Sequence, residues 1–198
     1  EYVHGLAIGL DESIYIAGKS LSLPNYSNAR YRSYIYKYDS NGSHEWTRFV
    51  GGSPGIDPNG LTIGLDGSIY IADETYGDLD GQTNNGNSDV FLVKYNPDGT
   101  KDWSRLFGSS RHDYARALTT GLDGSIYIAG ETLSDIDGQT NSGGRDAFIS
   151  KYNPDGTKDW TRLLGSSEDD IAKAITIGSD GSIYITGNTK GDFGGQTN

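Results

Sequence analysis

Two loops of this chain carry the same five oxygen-bearing side chains at the same spacing. Asp78, Asp80, Gln82, Asn84 and Asp89 occupy loop positions 1, 3, 5, 7 and 12, and Asp135, Asp137, Gln139, Asn141 and Asp146 repeat the pattern. A hard divalent cation is held by several oxygens, and these offsets match the ligand positions of a twelve-residue calcium loop. The chemistry they suggest is Ca2+ coordination, with three carboxylates per loop at its core. The match departs from that loop in two ways. Gly81 and Gly138 stand at position 4 instead of 6, and position 12 is Asp, shorter than the usual bidentate Glu. The competing use of the same residues is structural: Asp, Asn and Gln cap turns by bonding backbone N–H groups. The other copies favour that use. The first reads 21–34 with no carboxylate, and in the fourth Asp192 persists while Gly194 replaces the second Asp. At most two complete cation sites are expected.

Other residues of catalytic type are less well arranged. Ser109, Ser110, Arg111, His112 and Asp113 include the side chains of a hydrolytic triad, but they are consecutive, and a nucleophile–base–carboxylate relay normally draws on separate segments. The counterpart, Ser166 to Asp170, has no His. A linking turn is expected there, and no catalysis. Asp113 and Asp170, with Asp57 near the equivalent place, are expected to bond backbone N–H groups at that link. His4, His44 and His112 fall at unrelated repeat positions, so no repeating histidine metal site is expected. The recurring LDGS is a hairpin turn and not a nucleophile elbow.

The elements that must position these residues are repeats. KYNPDGTKDW runs from Lys94 to Trp103 and again, unchanged, from Lys151 to Trp160; Trp46, Trp103 and Trp160 are spaced by 57. A long fixed period marks one supersecondary unit copied in tandem. In the third copy, 115–120 alternates as a half-buried strand does, and 125–132 (SIYIAGET) is rich in β-branched and aromatic residues. A third strand is expected at 146–152 and a fourth at 159–164, joined by Asn153-Pro154-Asp155-Gly156, a turn in which Pro sets φ and Gly closes. Four antiparallel strands per unit with Gly-rich links predict an all-β chain, a β-propeller of four-stranded blades. Trp46, Trp103 and Trp160 are expected to pack between blades near the outer edge, with glycan stacking as the alternative role.

The pattern GSIYIAG, DAFISKYNPDGTKDWTRLLGSS, then a downstream Asp and Ala, resembles the SBBP repeat, a propeller repeat found mainly in bacterial proteins predicted to be exported. The DGQTN loop resembles cyanobacterial copies of it. The likeness spans essentially the whole chain. It implies the propeller fold and a secreted or cell-surface setting, and no particular reaction.

Bulk properties narrow the partners. The formal net charge of -11 repels phosphate backbones and anionic lipid surfaces, which argues against nucleic-acid and membrane-surface binding. No apolar run reaches the roughly 20 residues a membrane-spanning helix needs. With no cysteine, disulfides and thiolate metal sites are excluded.

Counting strands divides a single repeat domain, 1–198, into blades 1–55, 56–112 and 113–169 and a half repeat 170–198, about three and a half blades. A closed ring takes four to eight. Further blades of a parent chain, or a second copy, are expected to complete it. A dimer has the strand number of a seven-bladed ring, although its inner and outer strand pairs do not balance. The function expected is a non-enzymatic scaffold or interaction module that self-associates. The alternative is a glycan-binding or Ca2+-dependent propeller with one site per blade. An enzyme would need repeat-breaking residues converging at the channel, for which the first repeat offers Tyr26, Arg30, Tyr31, Arg32 and Tyr34.

Overall fold

The computed structural model describes residues 2–22, 30–50 and 60–197, with the backbone alone at 20–22 and 30–32. Among them every regular element is a strand. The first sheet comprises β1 (Tyr2–Ile8), β2 (Ile14–Ser22), β3 (Arg30–Tyr38) and β4 (His44–Val50) in that order. The second is β5 (Gly60–Ile63), β6 (Ile69–Thr75), β7 (Asp89–Tyr95) and β8 (Lys101–Phe107). The third is β9 (Asp113–Thr120), β10 (Ile126–Thr132), β11 (Asp146–Tyr152) and β12 (Lys158–Leu164). The fourth has two strands, β13 (Asp170–Ile177) and β14 (Ile183–Thr189). All pairings are antiparallel neighbours in sequence. The expected strands of the third copy differ from β9–β12 by at most two residues, the extension being Asp113 and Tyr114, which pair with Thr132 and Glu131.

The first strands of consecutive sheets pack together, β1 on β5, β5 on β9 and β9 on β13, which places them nearest the hub. The sheets therefore stand face to face around an arc that does not close. Stacking explains a departure from simple alternation: β6 and β10 are buried at every residue, because a neighbouring sheet covers each face. One apolar cluster, with Ile35, Ile71, Phe91 and Val93, joins the first two sheets. A second, with Val90, Leu92, Ile126, Ile128 and Phe148, joins the second and third. Burying such side chains stabilises by about 1.5–3 kcal/mol each.

The turns follow their residues. In the LDGS hairpin the Asp66 carboxylate accepts from the Ser68 amide at 3.0 Å and Gly67 takes φ 77°, a conformation costly with a Cβ. The same residues build a latch between blades. Arg48 donates Nε to the Gly99 carbonyl at 2.6 Å and lies 5.0 Å from the Trp46 ring; Arg105 does the same to Gly156 at 2.6 Å, 5.0 Å from Trp103. A Cβ on Gly99 or Gly156 would lie 2.9 Å from the indole beneath it, so the turn glycine is needed for close approach as well as for φ. Trp46 and Trp103 thus sit between blades, as expected; no turn glycine covers Trp160 among the described residues.

Candidate functional site

Each acidic loop is a miniature hairpin. Leu79 and Gln82 exchange backbone bonds at 3.0 and 2.8 Å around Asp80 (φ 49°) and Gly81 (φ 79°). Two successive positive φ values define the type I′ turn that Asp-Gly favours, which explains the glycine at loop position 4. Leu79, like Ile136 in the next copy, is buried in the core between blades and pins the hairpin down.

The five oxygen-bearing side chains do not converge. Asp78 accepts from the Asn84 amide at 2.9 Å, and Asn84 donates to the Thr75 carbonyl at 2.8 Å. Asp80 reaches the outermost strand, accepting from Lys101 at 2.7 Å and Ser104 at 2.6 Å; those bonds hold its carboxyl below the ordinary range. Gln82 bonds that strand's backbone, donating to the Ser104 carbonyl at 3.1 Å and accepting from the Leu106 amide at 3.0 Å. An amide side chain here answers backbone groups at a sheet edge, as another strand would. The second loop repeats every contact: Asp135 accepts from Asn141 and Asn141 donates to Thr132, Asp137 accepts from Lys158 and Thr161, and Gln139 spans Thr161 and Leu163. Among the described residues no three His, Asp or Glu side chains gather as a metal's ligand set.

Asp89 and Asp146 stay bonded to their own loops and also meet a carboxylate of the following blade. Asp89 accepts from Asn85 at 2.9 Å, Asp113 accepts from Ser109 at 2.6 Å, and both carboxylates crowd Gly108. Asp146 accepts from Ser142 at 2.8 Å and Asp170 from Ser166 at 2.6 Å. All four are buried, and each keeps one oxygen with no hydrogen-bond partner. Burial first, and the neighbouring Asp second, push the carboxyls of Asp89 and Asp146 up; burial does the same to Asp113. A pair of this kind can share a proton or take up a cation. The expected bonds of Asp113 and Asp170 to backbone amides are present; Asp57 lies outside the described residues.

His112 is bonded through Nδ1 to Ser88 at 3.0 Å and faces Asn87 at 3.3 Å on Nε2, with no carboxylate orienting it. It forms no triad with Asp113, which serves the Ser109 amide. In the first repeat, Tyr26 lies outside the described residues, as do the side chains of Arg30, Tyr31 and Arg32.

One cluster escaped the sequence reading. Glu131, fully buried, accepts from Arg116 at 2.7 Å and from Arg145 at 2.8 Å, and Arg116 lies 4.9 Å from the Tyr114 ring. A signal existed: Arg145 replaces Ser88 of the previous copy, and Tyr114 is replaced by Ile171 in the next.

These features define the chain as a β-propeller repeat protein. Residues 159–194 match the SBBP β-propeller repeat, and residues 66–104 and 122–161 match the DUF5122 β-propeller, a domain of unknown function. The chain is similar to the regulatory protein FlaEY of Caulobacter vibrioides, 31% identical over 147 residues, covering 67% of this chain and 15% of FlaEY. It is also similar to the WD repeat-containing protein L264 of Acanthamoeba polyphaga mimivirus, 25% identical over 132 residues, 58% of this chain and 9% of that one. The chain thus spans a small part of these relatives. A solved structure assigned as a gluconolactonase superposes with a TM-score of 0.50 at 14% identity, over 93% of this chain and 55% of that chain, a likeness of fold alone.

Proposed function

We propose that this chain is a non-enzymatic interaction module whose exposed blade faces are completed by a second copy. The observation that carries this is the latch. Arg48 and Arg105 each grip the turn of the next blade, whereas the Arg162 guanidinium, 5.6 Å from Trp160, donates among the described residues only to the carbonyl of its neighbour Thr161, at 3.0 Å. At the opposite end the equivalent turn glycine, Gly42, has open space where a Cβ would stand. The two uncovered flanks are the surfaces that head-to-tail association would bury. Apolar side chains exposed on β1 (Leu6, Ile8) and β14 (Tyr184) support the same reading. The regulatory description of the Caulobacter relative suits such a module. The SBBP character of the repeat supports a secreted or cell-surface setting.

Light scattering across a concentration series tests the proposal. A mass of two chains is expected, falling to one for Arg162→Glu; a concentration-independent single-chain mass for the unaltered protein overturns it. A second reading, Ca2+-dependent binding, is favoured by the buried oxygens left over at Asp89/Asp113 and Asp146/Asp170, not by the loop spacing. Thermal midpoints in Ca2+ against EDTA test it, and equal midpoints reject it.

A further inference from the structure

The first strand of a blade carries a β-bulge at a fixed place. Register slips between Val3 and Gly5, between Ala115 and Ala117 opposite Gly130 and Ala129, and between Ala172 and Ala174. The residues set into those bulges are His4, Arg116 and Lys173; the second copy has Asn59 there, outside the described residues. A bulge re-aims one side chain out of the regular pleat. Here a constant backbone device presents a side chain that differs in every copy, while the flanking strands stay nearly the same. A repeat scaffold varied at a single re-aimed position has the layout of a binding site built on it.

Between the third and fourth blades two of these residues share an open cleft of about 310 Å³ lined by Arg116, Glu131, Arg145, Ile171 and Lys173. Three cations and one carboxylate line it, with Asp169 near Arg145 as a further negative charge, in a chain whose net charge is -11. Glu131 occupies Nε and Nη2 of Arg116 and Nη1 of Arg145, which leaves further guanidinium N–H groups uncommitted. Lys173 is exposed and has no ion-pair partner among the described residues. Glu74, on the preceding blade, adds a more distant negative charge near Arg116. Glu131 also shows the chemistry that the cleft selects: a carboxylate held by the fork of Arg116 and a single N–H of Arg145.

We propose that this cleft binds a small hydroxylated carboxylate of the size of a uronic acid. The uncommitted N–H groups of Arg116 and Arg145 and the Lys173 ammonium take the carboxylate, and the remaining donors of those side chains and Glu131 meet the hydroxyls. A single carboxylate suits a cleft whose three lining cations outnumber its one lining carboxylate. The site lies within one chain and stands whether or not the chain self-associates.

Titration of the full chain with sodium glucuronate, followed by heteronuclear NMR, tests the assignment, with glucose and inorganic phosphate as separate arms. Glucuronate is expected to shift the side-chain signals of Arg116 and Arg145 with a Kd on the order of 1 mM, and glucose not to. Lys173→Glu, an exposed change that leaves the Glu131 pairs intact, is expected to weaken binding about tenfold or more. Glu131→Gln, which keeps an acceptor for the arginines but removes the competing charge, is expected to tighten it about threefold. No response to glucuronate, an equal response to glucose, a response to phosphate alone, or undiminished binding by Lys173→Glu would each overturn the proposal.

Discussion

The junction between the second and third blades and the junction between the third and fourth are written in almost the same residues, yet they are different objects. At the former, Ile126 and Phe148 are fully buried, Phe107 meets Phe148 edge-on at 5.9 Å, and Arg105 grips the following turn. At the latter the buried apolar residues are three alanines, Ala129, Ala147 and Ala172. Tyr127 is 7% exposed and its counterpart Tyr184 is 55% exposed. The difference is the outer strand pair. A repeat's residue acquires its environment from the next repeat, so stability is a sum over interfaces more than a property of any one blade.

Three substitution pairs and one single substitution would break or sharpen this contrast. The largest effect belongs to Phe148→Ala, expected to cost about 3–5 kcal/mol in chemical denaturation, against about 0.5 kcal/mol or less for Tyr184→Ala. Arg105→Ala is next, at about 1–3 kcal/mol, since it strips bonds from the Gly156 and Asp155 carbonyls; Arg162→Ala is expected to be near neutral in dilute solution. Asp89→Asn acts in the opposite direction. The folded state keeps the Asp89 proton above the ordinary value of 3.8, so its stability falls as pH rises through the range between that value and the folded pKa. Asn avoids that loss and still accepts from the Asn85 amide. In EDTA it is therefore expected to raise the midpoint at pH 7 by about 2–4 °C, equivalent to about 1 kcal/mol, and to do little near pH 3. If Ca2+ occupies the pair, the sign reverses. The smallest effect is Gln82→Ala, about 1 kcal/mol for the two backbone bonds it leaves unanswered, against no measurable change for Gln196→Ala, whose exposed side chain has no outer strand beside it.

Much of the architecture was legible because the repeat prints each strand several times. The Asp-Gly and Asn-Pro-Asp-Gly signals are local, and they placed the turns at both 66–67 and 153–156. What failed to transfer was convergence. The spacing of Asp78, Asp80, Gln82, Asn84 and Asp89 resembles a ligand set, but a type I′ turn at Asp80-Gly81 points its members at a neighbouring strand, a turn and a second blade. The Asp89–Asp113 meeting joins residues on consecutive blades, a fact of stacking that no single repeat encodes. Arg116 was hidden for another reason: a bulge reverses the side of the sheet a residue faces, so strict alternation misreads it. The signal lay in comparing copies, where Arg116 and Lys173 stand out against their constant flanks.

The glutamine that reaches across from each acidic loop has a consequence for how the molecule can grow. With its carboxamide seated on the Ser104 carbonyl and the Leu106 amide, a stranger's backbone finds those hydrogen-bonding positions already taken. Lateral recruitment, the route to fibrils, is thereby obstructed at the perimeter. The proposed pairing of copies uses the flat flanks instead, one wedge after another around the axis.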